Sequence, residues 1–218
     1  MTVSCNNMTK LTHHIRENLN SDVFSDMELT HLFSKSNNQR YGLVKRAIDK
    51  NDIIHIRRGL YCLAEKYRRH LLHPFELAQK IYGPSYISFE SALSYHGLIP
   101  EAVHAVTSAS FKRSREFQTP LGNFSFLRVI AHPFLVGVQH EKNEQGVFYL
   151  ATPLRALADY VSVYKKEWKG IYQLIHSLRI EEEALHILDI QQFNELEEAF
   201  RNRRVLRFLK GMRKDLQL

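Results

Sequence analysis

One run of the chain carries the side chains best suited to recognising another molecule: Ser36, Asn37, Asn38, Gln39, Arg40, Tyr41, Gly42, Leu43, Val44, Lys45 and Arg46. At 100° per residue Leu43, Val44, Ala47 and Ile48 make one apolar face, and Asn38, Gln39, Gly42, Lys45 and Arg46 lie opposite with Tyr41 on the flank. Amides can pair with base edges in a major groove, Lys and Arg can reach guanine or phosphate, and a glycine lets a helix axis come close to a backbone. The chemistry is that of double-stranded DNA recognition. Ser36 and Asn37 open the helix and complete the expected set. Asp49 shares the polar face near the C-terminus and would repel phosphate, which confines contact to the first half of the helix. Arg40 falls toward the apolar side, and its long stem would have to bend outward to contribute. A second pair, Arg57 and Arg58, stands where a hairpin tip would reach an adjacent phosphate or the minor groove.

Residues able to carry catalysis or metal binding do not assemble into a pattern. His13, His14, His96, His104, His132 and His140 show no ligand spacing, so they are expected in ordinary core or surface roles. Glu181-Glu182-Glu183 stands at a helix start, where the helix dipole accounts for it. The chain has no glycine-rich phosphate loop and no nucleophile elbow. Asp159 followed by Lys165-Lys166 faintly resembles the acid and lysine of a metal-dependent nuclease, without the strand-borne spacing that chemistry needs. A protein that is not an enzyme, with no cofactor and no metal, is expected.

The elements that must position the recognition residues are well marked. Ser25 to Glu28 fits a capping box, flanked by Phe24 and Leu29 as a hydrophobic staple, and opens a helix to about Phe33. A short turn over Ser34-Lys35-Ser36-Asn37 leads to a second capping box, Ser36 to Gln39, opening a helix to about Lys50. Ile53 to Arg57 and Leu60 to Leu63 are β-prone runs separated by Arg58-Gly59, which predicts a hairpin. Leu11 to Leu19 ahead of them has a weak helical pattern, and helix, helix, turn, helix, hairpin is the order of a winged helix-turn-helix. Glu65 to His73 is charged and lacks an apolar period, so the boundary is drawn there: residues 1–69 as a winged helix-turn-helix DNA-binding domain, residues 70–218 as a second domain.

That second domain reads as α+β, with a small, mostly antiparallel sheet followed by C-terminal helices. Pro74 opens a helix with Leu77, Ala78 and Ile81 on its buried stripe. Ser88 is the expected N-cap of the next helix and His96-Gly97 its stop. Strands are predicted over Val103 to Ser108, Phe124 to Ile130, Val136 to Val138 and Val147 to Leu150, with a turn at Thr119 to Gly122 and a polar loop at Glu141 to Gly146. Thr152 and Pro153 start a helix through Val161, a second helix spans Trp168 to Leu178, and Asp189 caps a last helical region whose apolar phase drifts near Asn202.

Composition adds limits. The 218 residues are 44% hydrophobic with a formal charge of +7, which suits a globular protein with a polyanionic partner. No run approaches the roughly 18 apolar residues of a membrane span, and Met1 to Asn7 lacks the charged and apolar regions of a signal peptide, so a cytoplasmic location is expected. Cys5 and Cys62 do not suggest a disulfide framework. Positive charge concentrates at Arg40 to Arg69 and in a tail of Arg201, Arg203, Arg204, Arg207, Lys210, Arg213 and Lys214 that faces no acid in the local sequence.

Four runs together carry a family likeness: Arg58-Gly59-Leu60-Tyr61, then Tyr82-Gly83-Pro84-Ser85-Tyr86-Ile87-Ser88, then Ser91-Ala92-Leu93-Ser94-Tyr95-His96-Gly97-Leu98-Ile99-Pro100-Glu101, then Thr152-Pro153-Leu154-Arg155-Ala156-Leu157-Ala158-Asp159. In this order they resemble the AbiEi family, antitoxins of type IV toxin-antitoxin (abortive infection) systems. The likeness spans about Asp22 to Asp159, and the last third matches only as generic helices. It implies an N-terminal winged helix that represses its own operon, at an inverted repeat in its own promoter, and a C-terminal domain that counters a nucleotidyltransferase toxin without forming a stable complex with it. Members with this architecture also exist as freestanding regulators, whose second domain would bind a partner or ligand. A metal-dependent nucleic-acid enzyme is the remaining alternative.

Overall fold

The computed structural model describes residues 8–33, 36–101, 103–143 and 146–218. Cys5 and the turn residues Ser34 and Lys35 lie outside them. The chain divides into two compact units, Met1–His73 with Gln118–Leu121, and Pro74–Phe117 with Gly122–Leu218. Together they make a mixed α/β chain with helices at both ends. None of the described helices is long and apolar enough to cross a membrane.

In the first unit α1 (Lys10–Asn18) is followed by β1 (Val23–Ser25), α2 (Asp26–Leu32), α3 (Asn37–Asp49), β2 (Ile53–Arg57) and β3 (Leu60–Leu63). The strands form one antiparallel sheet in the order β1-β3-β2. Strand β1 has no counterpart among the expected elements; three residues are too few to show a period of two. Leu11, Ile15, Phe24, Leu29, Val44, Ala47, Ile53 and Leu63 meet in one apolar core, joined by Tyr67. The charged run after β3 therefore belongs to the packed unit. Arg69 donates to both oxygens of the buried Asp22, through its backbone N–H and its guanidinium at 2.7 Å each, and to the Leu19 carbonyl at 2.8 Å. Arg68 donates to the Leu63 carbonyl at 2.8 Å. Part of the positive charge between Arg40 and Arg69 is thus consumed in closing the end of α1 and the end of β3.

The second unit contains α4 (Pro74–Ile81), β4 (Ser85–Ile87), α5 (Phe89–Tyr95), β5 (Ala105–Ser110), most of β6 (Arg115–Thr119), β7 (Gly122–Arg128), β8 (Val138–Asn143) and β9 (Gly146–Ala151). These are followed by α6 (Pro153–Val163), α7 (Tyr172–Leu178), α8 (Ile190–Ala199) and α9 (Arg203–Asp215). Its sheet is larger and more mixed than expected: six strands in the order β6-β7-β5-β4-β9-β8. Strands β4 with β5 and β8 with β9 pair antiparallel, whereas β5 with β7 and β4 with β9 run parallel. Strand β6 takes the edge, which lets β7 return beside β5 in the same direction. Residues expected as a loop from Glu141 fall within the β8–β9 pair, with 144 and 145 outside the described residues, and Val136-Gly137 precede β8 instead of forming a strand.

Strand β4 and helix α5 sit at the middle of this unit, and the Ser88 hydroxyl does not cap α5. It donates instead to Asp159 at 2.8 Å, and the Ser91 N–H of the first turn finds the Thr107 hydroxyl of β5 at 3.0 Å. At the other end His96 and Gly97 stop α5 as expected, Gly97 taking φ +70. Asn202 caps α9 where the apolar phase breaks, accepting from the Arg204 N–H at 3.0 Å. The C-terminal arginines are not without acids: Arg204 and Arg207 each donate to Glu167 at 2.7 Å.

Helix α9 also comes into backbone contact with the segment before α7. A Cβ at Gly211 would lie 1.5 Å from the Lys169 carbonyl oxygen. Alanine has the higher helix propensity by about 1 kcal/mol, yet Gly211→Ala is expected to destabilise the fold by about 1–3 kcal/mol, because backbone cannot yield as a side chain can. Urea unfolding of the full chain measures the sign.

Candidate nucleic-acid interface

Helix α3 begins at a reciprocal cap. Ser36 Oγ accepts from the Gln39 N–H at 3.4 Å, and Gln39 Oε1 accepts from the Ser36 N–H at 3.3 Å. The spacing of a capping box forces this, since the N-cap and N3 side chains stand over the same open turn. One consequence bears on recognition: the Gln39 amide oxygen is engaged in the cap, so Gln39 cannot present both amide atoms to a base edge as the sequence suggested. Asn37 is engaged as well, its Oδ1 accepting from the Arg40 guanidinium.

The remainder of the helix divides as its period dictates. Val44 and Ala47 are buried, and Leu43 and Ile48 pack against the same core. Ser36, Asn37, Asn38, Gln39, Tyr41, Lys45 and Arg46 are exposed, Tyr41 at 71%. Gly42 is half-buried, and a Cβ there would meet nothing within 4 Å, so the glycine leaves open space over the helix where a bulkier residue would be tolerated by the fold. Asp49 is exposed near the C-terminal end. The outer face is therefore amide-rich and cationic through Arg46.

The hairpin β2–β3 turns at Arg58-Gly59, with Gly59 at φ +73. Its tip does not stand free. The Asp26 N–H at the start of α2 donates to the Gly59 carbonyl at 3.1 Å, and a Cβ on Gly59 would lie 3.2 Å from Asp26 Oδ2. Arg57 is half-buried, with its Nη1 donating to the Arg58 carbonyl at 2.9 Å, whereas Arg58 is exposed. The hairpin is a short ledge docked on α2.

Between α2, α3 and this ledge lies a cleft of about 580 Å³. It brings together Asn37, Asn38 and Tyr41 from the expected set, with Arg58 from the hairpin; Ser36, Gln39, Gly42, Lys45, Arg46 and Arg57 do not line it. Arg40, expected to contribute only if its long stem bends outward, lines the cleft, as do His55 and Tyr61, which carry no expectation from the sequence. A helical wheel treats a long side chain as a ray from the axis and so sets Arg40 toward the apolar face. His55 and Tyr61 face each other across the hairpin, ring centroids 5.3 Å apart, and the strand alternation could have placed them on one face. Burial, reinforced by the neighbouring Asp26 carboxylate, pushes the Tyr61 phenol up to about 12, so it is a neutral donor at physiological pH. Among the described residues Asp26 is the one carboxylate in a lining that also holds Arg40, Arg58 and His55. Such a set can hydrogen-bond and neutralise an anion.

Asp159 is fully buried, accepting from Arg155 Nε at 3.0 Å and from the Tyr86 and Ser88 hydroxyls at 2.8 Å, so it has no access to a substrate. His13 has a carboxylate neighbour one turn away, Glu17 at 3.1 Å, which the sequence reading passed over. His96 Nε2 lies 2.8 Å from the Ala151 carbonyl. Among the described residues no three His, Cys, Asp or Glu side chains come together as a metal site would require. No family model matches the chain, and no curated protein is detectably similar to it.

Proposed function

We propose that the chain is a DNA-binding antitoxin of a type IV toxin-antitoxin system, which represses its own operon through the first unit and counters a nucleotidyltransferase toxin through the second. The observation that carries the DNA-binding half is the exposed face of α3, Asn38, Tyr41, Lys45 and Arg46, beside Arg58 on the hairpin. The order α1, β1, α2, α3, β2, β3 with the sheet β1-β3-β2 supports reading the unit as a winged helix, with α3 as the helix that enters the major groove. Strand β1 adds to that reading, because its pairing with β3 ties the hairpin to the start of α2. The antitoxin half rests on the sequence runs that resemble the AbiEi family.

The test takes the full chain. Expressed beside the nucleotidyltransferase gene expected next to its own, it should restore growth, and in purified form it should footprint an inverted repeat in its promoter. Lys45→Ala with Arg46→Ala should abolish the footprint and leave the rescue intact. Rescue lost together with the footprint would overturn the division of labour. A footprint with no rescue would leave a freestanding repressor.

A further inference from the structure

The second unit has a cleft of about 490 Å³ that the DNA reading does not use. It is built where the end of β7, the segment after it, the C-terminal end of α6 and the junction between α8 and α9 converge. Its rim carries Arg128, Lys165 and Arg201, with His132 beside them, and among the described residues no carboxylate lines it. Among the described residues no acid lies within ion-pair distance of these three cations, whereas Arg155, Arg179, Arg204 and Arg207 in the same unit each have one. Three like charges around one cavity repel one another, and the fold gives back no compensating ion pair.

The backbone that carries Lys165 and Arg201 is well anchored. Lys165 follows the end of α6 at φ +54, in a turn closed by the Lys166 N–H donating to the Val161 carbonyl at 3.1 Å. Lys166 then lies over the Tyr160 and Trp168 rings, 5.8 Å from each, and Lys165 faces the cleft. Arg201 stands between Phe200, buried under the Arg155 guanidinium, and Asn202, which caps α9. The His132 N–H donates to the Ala199 carbonyl at 2.9 Å and ties the segment after β7 to the end of α8. Ile130, at the same rim, is 74% exposed and with Val163 offers an apolar surface beside the cations.

We propose that this cleft binds a phosphorylated small molecule, its phosphates held by Arg128, Lys165 and Arg201 and its uncharged part lying on Ile130 and Val163. Guanidinium groups match phosphate oxygens in geometry as well as charge, and the volume falls in the range of small-molecule sites, about 300–1,000 Å³. Ser162 and Asn202 supply a hydroxyl and an amide for the ester or ring oxygens. The ends of α6 and α8 give Lys165 and Arg201 a rival role, since a positive charge near a helix C-terminus is stabilising in its own right. The two roles differ in what they affect: the helix-end role acts on stability and the binding role on anion affinity. The proposal stands independently of DNA binding.

Titration of the full chain with pyrophosphate, ATP and GTP by calorimetry at physiological salt tests it. Saturable binding is expected, and Lys165→Gln with Arg201→Gln should weaken it by about tenfold or more for each charge removed. Arg203→Gln with Lys210→Gln removes the same net charge from α9, outside the cleft lining, and should leave affinity within about twofold, the scale of a non-specific charge effect. Melting of both double variants verifies folding. Absence of saturation by all three probes, an equal loss in both double variants, or unchanged affinity in the cleft variant would each overturn the proposal. So would a cleft variant that loses affinity only for duplex DNA.

Discussion

Replacing Asp159 with alanine is expected to destabilise the second unit by about 3–5 kcal/mol, the cost of leaving a buried guanidinium without its carboxylate. Arg155 and Asp159 are both fully buried, one turn apart on α6, and their partners come from distant parts of the chain. Tyr86 donates to Asp159 and accepts from Arg155 Nη2 at 2.5 Å, Ser88 donates to Asp159, and Arg155 also reaches the Val136 and Phe134 carbonyls at 2.5 and 3.2 Å. The guanidinium lies between the Tyr86 and Phe200 rings, 5.2 and 5.0 Å from their centroids. Gly137 makes room for it, since a Cβ there would approach Arg155 Cβ to 3.0 Å. Removing either partner strands the other, but Arg155→Met with Asp159→Leu removes both charges and should cost less than the sum of the single changes.

The same pair predicts a pH signature. Burial pushes the Asp159 carboxyl above its ordinary value, and the Arg155 guanidinium is the largest influence opposing it. Without Arg155 the folded carboxyl rises further above the unfolded value of about 4, so the folded chain binds its proton more tightly than the unfolded chain does. Arg155→Met should therefore be most stable relative to the parent protein near or below that unfolded value. It should lose the advantage as pH rises through the elevated folded value. Urea unfolding at a series of pH values between about 4 and 8 reads it. Additive single changes and a pH-independent difference would show that Arg155 and Asp159 act separately.

This network also explains what the sequence made legible. Two runs singled out in the sequence, Tyr82 to Ser88 and Thr152 to Asp159, meet in space through one buried carboxylate. Their residue types are constrained by packing, which says little about activity. Features set by neighbours along the chain were readable: both capping boxes, Pro153 after Thr152, Gly97 as a stop, and the break at Asn202. Features set by distant neighbours were not. Ser88 looked like a cap until Asp159, 71 positions on, claimed its hydroxyl. Arg204 and Arg207 looked unpaired because Glu167 lies on another segment. Strands β1 and β4 have three residues each, too few to carry an alternation, and exist because their partners do.

On DNA, the full chain should distinguish side chains that position it from side chains that specify a sequence. Lys45→Ala with Arg46→Ala is expected to weaken binding to every duplex alike and to reduce the salt slope by up to about 0.9 for each phosphate left unneutralised. Asn38→Ala should instead relax preference at one base pair, by about 1–3 kcal/mol, because an exposed amide with both atoms available can satisfy an adenine edge. Gln39→Ala should behave differently from Asn38→Ala despite the shared chemistry. Its carbonyl oxygen holds the Ser36 N–H, so the loss should appear in the stability of the α3 cap, worth about 1 kcal/mol, before it appears in specificity. The hairpin divides in the same manner. Arg57 is turned back onto the Arg58 carbonyl and Arg58 is exposed beside the α3 cleft, so Arg58→Ala should account for most of the fall in slope produced by Arg57→Ala with Arg58→Ala. Anisotropy titrations of a specific and a scrambled duplex at several salt concentrations separate these outcomes. An unchanged slope in the hairpin double variant would remove the ledge from the interface, and an Asn38→Ala loss equal on both duplexes would move that amide from base to backbone.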